Sequence, residues 1–375
     1  MDAGGSRMRG KKATQTIGKT GRSASSPGIR SPAIDPIAAS SWVLVLATLL
    51  GSMPVLAETV VVADSEGRGT TRMVGQVVEY TGAQLSLRMA SGRVEMIDST
   101  RVISISETGN ANYEQARQAV EARRWEEALE QLQQALSTEK RAWVQREIVA
   151  ASVCCYRNLQ QLERANNGFL ALCRSDPKTQ HFDAIPLSWS SAGSNPEWLA
   201  QARQQLSDPT PIARLIAASW LLTTNERAAA TTVLQMLLGE QDPRVVFLAE
   251  AQLWRTRTLA PQAADVARWK ERIAAMPASL RGGPYLVLGQ ALARMGQSQE
   301  AIVAWMRIPI LYPQQRQLAA EALFAAAGEL AKLEDLDAAR GLYRELTREH
   351  ADSPLAAQAE RRLQELPKTT AEATR

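Results

Sequence analysis

Two hydrophobic periods divide the chain. Over residues 58–108, apolar and polar positions alternate, the pattern of strands with one face buried. A β-branched run, "ETVVVAD", comes first, followed by "MVGQVVEYTGAQLSLRMASGRVEMIDSTRVISISE". The alternation places Val78 and Tyr80, Leu85 and Leu87, Val94 and Met96, then Ile103 and Ile105 on the inward face. Turn signals at Tyr80–Gly82 and Ala90–Arg93 separate the runs. These features predict four or five antiparallel strands, and a sheet this small is expected to close toward a barrel that protects its edges. From Tyr113 onward the period becomes helical, with Gly and Pro mainly between apolar segments.

Within "YLVLGQALARMGQSQEAIVAWMRIPILYP", Gly289, Ala301 and Pro313 fall at even intervals of twelve. Two helices approach closely only where neither carries a bulky side chain, which explains the small pair. Tyr285, Leu288 and Gly289 then occupy first-helix contact positions. Gly296 takes the turn, Ala301 the crossing, Trp305 the large packing position and Pro313 the stop. Ala116, Trp125, Ala128, Leu132 and Ala135 follow the same rule, without the turn glycine or the proline. So do Tyr156, Ala165, Phe169 and Pro177, and later Ala327, Ala339 and Tyr343, after which Pro354 comes late. "LAAQAERRLQEL" reads as a closing amphipathic helix.

These units resemble tetratricopeptide repeats, helix–turn–helix modules of about 34 residues. The resemblance implies a mainly α fold, a TPR-like α-solenoid of helical hairpins preceded by a small β-barrel-like domain. Repeats are expected over 109–177 and, with the capping helix, over 281–367. Degenerate hairpins fill 178–280, with Ala217, Trp220 and Ala229 at packing positions. There "KTQHFDAIPLSWSSAGSNPEW" is an irregular insertion whose Phe182, Trp189 and Trp198 pack back onto the array. Residues 368–375 read as a disordered tail. The strand pattern at 58–108 resembles small SH3-like or Sm-like barrels, which implies either a peptide- or glycan-binding groove or a cap for the helices. The chain as a whole is similar to exported tetratricopeptide proteins of bacterial envelopes. In a repeat superhelix, first-helix residues line a concave face. Registering on the small residues places Glu147, Arg157, Asn158, Gln290, Arg294, Glu321 and Lys332 there as partner-binding candidates, their mixed charge suiting a peptide segment.

Charge changes the picture once it is divided. The net charge of +4 belongs to the leader. Beyond residue 57 there are 36 Lys and Arg against 37 Asp and Glu. Such balance argues against nucleic acid as a partner, since phosphate binding needs clustered basic residues. Residues 1–57 join a basic n-region to "WVLVLATLL" and Val55-Leu56-Ala57, the form of a signal peptide cleaved after Ala57. That predicts a periplasmic or secreted protein. The alternative is an inner-membrane anchor at 37–57, and the leader is the only expected membrane contact. An exported chain permits a disulfide between Cys173 and Cys154 or Cys155, although three small apolar core residues are the better reading.

Motifs for phosphate loops, dinucleotide turns, zinc proteases and serine hydrolases are absent from the sequence. No catalytic residue, cofactor or metal ligand is therefore expected. The carboxylates of "WEEALE" read as a solvated face. His181 near Asp183 lacks a nucleophile, and Trp189 or Trp198 could stack on a glycan. The expected function is a non-enzymatic envelope scaffold or adapter for protein partners. A cell-wall or glycan-binding protein and a self-assembling homo-oligomer are the alternatives.

Overall fold

The computed structural model describes residues 57–64, 69–106, 109–190 and 196–367. The expected signal peptide, apart from Ala57, and the expected tail lie outside these residues. Among them, no helix is long and apolar enough to cross a membrane.

Five strands open the fold: β1 (Glu58–Ala63), β2 (Thr70–Tyr80), β3 (Gln84–Arg88), β4 (Val94–Asp98) and β5 (Val102–Ser106). They form one antiparallel sheet in the order β4-β3-β2-β1-β5. Among the described residues no ladder joins β4 to β5, so hydrogen bonds there do not close the sheet into a barrel. Leu85 and Leu87 face inward as expected, but the phase fails elsewhere. A bulge between Val77 and Glu79 turns Val78 outward while Val77 and Tyr80 are buried. The β3–β4 register sets Ile97 opposite Leu85, which leaves Val94 and Met96 on the outer face. In β5, Ile103 is also exposed.

Fourteen helices follow among the described residues. Four helix pairs share one design: α1 (Ala111–Glu121) with α2 (Trp125–Thr138), and α3 (Ala142–Asn158) with α4 (Leu162–Ser175), then α10 (Gly282–Arg294) with α11 (Ser298–Leu311), and α12 (Arg316–Lys332) with α13 (Leu336–Glu349). Each second helix is 14 residues long. Each turn contains one left-handed residue: Arg123 (φ 62°), Gln160 (57°), Gly296 (75°) and Glu334 (63°). The next N–H then returns to a carbonyl inside the first helix: Arg124 to Ala119 (2.8 Å), Gln161 to Tyr156 (2.8 Å), Gln297 to Leu292 (2.9 Å) and Asp335 to Leu330 (3.1 Å). These bonds satisfy carbonyls that the helix end would otherwise orphan.

The small residues lie at the crossings. Ala116, Ala128, Ala165, Ala301, Ala327 and Ala339 are fully buried. A Cβ on Gly289 would lie 2.4 Å from Trp305 Nε1, whose N–H donates to the Leu286 carbonyl at 3.2 Å. Pro313 and Pro177 each follow their helix by two residues, and the late Pro354 reflects a longer turn before α14 (Ala356–Glu365).

The middle holds α5 (Pro196–Gln205), α6 (Pro211–Leu221), α7 (Arg227–Leu237), α8 (Pro243–Trp254) and α9 (Ala263–Ala275). Prolines start α6 and α8, where a missing N–H costs nothing. Ala217 packs inside and Trp220 is half-buried. Ala229 is exposed, because α7 turns the neighbouring Ala230 inward instead. Trp254 and Trp269 stack at 5.2 Å between α8 and α9.

The sheet does not have a core of its own. Val60, Val77, Leu85 and Ile97 share one apolar cluster with Tyr113, Trp125, Trp143 and Ile148. Buried Glu58 reinforces the junction, accepting from Val77 N at 2.9 Å and pairing with Arg141 at 2.8 Å. In the β2–β3 turn, a Cβ on Gly82 would lie 1.6 Å from the Lys178 carbonyl oxygen, so only glycine fits there.

Candidate functional site

The segment after α4 is the unusual part of the molecule. Residues 176–190 carry only one short 3-10 turn, Phe182–Ala184, yet Ile185, Pro186, Leu187, Ser188 and Trp189 are all buried. Buried irregular backbone needs partners for its polar groups. Side chains from several helices supply them. Trp220 Nε1 donates to the Pro186 carbonyl at 2.9 Å, and Ser188 N donates to Ser219 Oγ at 3.1 Å. Gln252 Nε2 and Arg255 Nη1 both reach the Ser188 carbonyl at 3.0 Å. Arg244 donates to the carbonyls of Thr179 (2.9 Å) and Pro177 (2.6 Å), with its guanidinium 4.0 Å above the Phe182 ring. At its start, Asp176 Oδ2 accepts from Gly82 N at 2.7 Å, tying the segment to the sheet. Trp189 lies against Gly283 of α10, where a Cβ would come within 2.0 Å of the indole.

Three of the partner-binding candidates converge on this segment. Glu147 accepts from Gln180 Nε2 at 3.0 Å and bonds His181 Nε2 at 3.1 Å. Arg157 Nη1 donates to the Asp183 carbonyl at 3.4 Å, and Gln317 of α12 donates to the Arg157 carbonyl at 3.1 Å. Ser190 Oγ donates to Glu321 at 2.9 Å. Gln290 borders the cleft beside Trp189 and Ser190. The other three stand apart: Asn158 donates back to the Cys154 carbonyl, Arg294 is exposed, and Lys332 pairs with Glu329 at 2.7 Å.

Burial shapes the electrostatics here. It disfavours the charged His181 ring, but the hydrogen bond and charge of Glu147, with Asp183 and Asp176 nearby, outweigh it and raise the pKa above 6.5. Desolvation pushes Glu321 up to about 6, against the Ser190 bond and the Arg255 charge. Desolvation also lowers Arg255 to about 10.

The remaining candidates take these places. Trp189 and Trp198 are buried in the core, Trp198 meeting Trp220 edge-on at 6.0 Å, while Trp189 keeps one edge on a cavity. His181 is hydrogen-bonded to Glu147 rather than Asp183. Cys154, Cys155 and Cys173 are free thiols, and burial pushes Cys155 and Cys173 up to about 12. Among the described residues, no cluster of His, Cys, Asp and Glu could hold a metal ion. Glu126, Glu127 and Glu130 are solvated, as expected.

Sequence reasoning missed Ser219, Arg244, Gln252 and Arg255. One signal was present: Ile185, Leu187 and Trp189 alternate, as a buried extended segment does. No protein-family model matches the chain, and no curated protein matches it.

Proposed function

We propose that the chain is an exported, non-enzymatic scaffold or adapter of the bacterial cell envelope. In this reading its helices form a tetratricopeptide-like α-solenoid, with the five-stranded sheet as an SH3-like or Sm-like module at its start. The supporting observation is the fourfold recurrence of one hairpin: a left-handed turn residue, a small-residue crossing and a 14-residue second helix. Units of this kind present helix faces for distributed contacts with protein partners. Fold alone does not establish function, so the reading also rests on the resemblance and the leader.

Glu147, Arg157 and Glu321 already serve the chain's own segment 176–190. A partner would therefore dock beside that segment, on exposed positions such as Arg294, or displace it. A second reading makes the sheet the working end, as a glycan-binding or self-associating surface. It is favoured by Val74, Val78, Val94 and Met96, which are all exposed on the sheet.

Cross-linking in intact cells, followed by purification and mass spectrometry, tests the adapter reading. One reproducible envelope partner, lost in Arg294→Glu, supports it. Cross-links confined to 58–108 would move the working surface to the sheet, and self-cross-links alone would make the protein a structural oligomer.

A further inference from the structure

Beside the buried segment lies a cavity of about 340 Å³, bordered by Trp189, Leu222, Leu259, Arg227, Arg255 and Gln290. Its volume is at the lower end of ligand sites, enough for a small group. Its lining joins apolar side chains to two guanidinium groups and several hydroxyls. Arg255 is the informative one. Nη1 serves the carbonyls of Ser188 (3.0 Å) and Ser219 (2.8 Å) and Gln252 Oε1 (2.6 Å), while Nη2 serves the Ser190 carbonyl at 3.2 Å. All four acceptors are neutral, and none is bonded by Nε. The Nε–H and one Nη2–H thus have no acceptor among the described residues. Nε–H and the Nη2–H beside it form one edge of a guanidinium plane, an edge that can hold a carboxylate with two parallel bonds.

We propose that this cavity binds a carboxylate carried on an apolar group, its oxygens on the Nε/Nη2 edge of Arg255 and its apolar part against Trp189, Leu222 and Leu259. Arg227, held by its bond to the Thr256 carbonyl at 3.1 Å, adds a second positive charge. Glu321 is the nearby anion; it bonds Ser190 and makes no direct ion pair with Arg255. The low proton affinity of Arg255 agrees with a desolvated cation short of a counter-charge. A free polypeptide C-terminus and a small organic acid share this chemistry. The proposal stands whether or not the adapter reading does.

Calorimetric titration of the purified full-length protein tests it, with N-acetyl-leucine against N-acetyl-leucinamide, and with a short peptide ending in leucine as free acid against its amide. Each acid is expected to bind at least about tenfold more tightly than its amide, as a charge-assisted pair requires. Binding of the peptide acid alone identifies a polypeptide C-terminus as the ligand, and binding of N-acetyl-leucine alone identifies a small acid. Arg255→Lys keeps the charge and loses the fork, but it also disturbs three backbone carbonyls. Leu259→Trp is the cleaner variant, because Leu259 is 72% exposed at the cavity mouth. It is expected to weaken acid binding about tenfold while the melting temperature holds. Equal binding of acid and amide, absence of saturable binding by any acid, or wild-type affinity in Leu259→Trp would overturn the proposal.

Discussion

Replacing Gly289 by alanine should destabilise the protein although alanine is the better helix former. In an exposed helix interior the change gains about 1 kcal/mol. At this crossing the new Cβ would lie 2.4 Å from Nε1 and 2.6 Å from Cδ1 of Trp305. Trp305 is buried, so the indole or the helix must shift, an overpacking cost of roughly 1–3 kcal/mol. A shifted indole also loses the Leu286 carbonyl, and an orphaned buried N–H costs roughly 1–3 kcal/mol more. The net expectation is about 3 kcal/mol of destabilisation. Gly341→Ala in α13 is the control, because an added Cβ there meets nothing within 4 Å. It should stabilise by roughly 0.5–1 kcal/mol. Urea unfolding followed by tryptophan fluorescence and circular dichroism would measure both. If Gly289→Ala matched Gly341→Ala, the close crossing and the hairpin register built on it would be wrong.

Glu334→Gly should stabilise the α12–α13 hairpin by about 1 kcal/mol, because the left-handed backbone costs a non-glycine residue roughly that much, and a lowered urea midpoint would contradict the assigned turn. The His181–Glu147 pair should contribute stability that is fully present below about pH 6.5 and lost as the pH rises through the raised folded value. His181→Gln should remove that pH dependence in thermal melts. Glu321 behaves in the same direction for a different reason: its carboxyl, raised from 4.5 to about 6, binds a proton more tightly when folded. The melting temperature of Glu321→Gln should therefore rise relative to wild type between pH 4.5 and pH 6 and above, and a constant difference would refute the burial argument.

The hairpins were legible where geometry forces residue choice. A close crossing demands small residues, so Gly289, Ala301, Ala165 and Ala339 were readable. The turns were only partly readable: Arg123, Gln160 and Glu334 adopt the conformation that Gly296 advertises, since return hydrogen bonds hold them there. Strand phase failed at Val78 because alternation carries no mark of a bulge, and at Met96 because register is set by the partner strand. Ala229 and Ala230 differ by one helical position that the run of small residues Ala228–Thr232 cannot specify. The buried segment was least legible. Its partners are scattered, with Ser190 and Glu321 lying 131 positions apart, and backbone carbonyls leave no trace in the side-chain pattern. The concave-face register did single out Glu147, Arg157 and Glu321, but what they grip is this chain's own segment.

Residues 185–189 run buried across the helical array, and the segment 176–190 around them is held by side chains of α3, α6, α8 and α12. Native-state hydrogen exchange of peptides covering 179–190 tests this arrangement most directly. The Ser188 amide, bonded to Ser219 Oγ, and its neighbours should exchange at least about 100-fold more slowly than in an unfolded chain, with protection reduced by Ser219→Ala. Exchange of these amides at unfolded-chain rates while α3 and α10 stay protected would contradict the account and leave the inner face open.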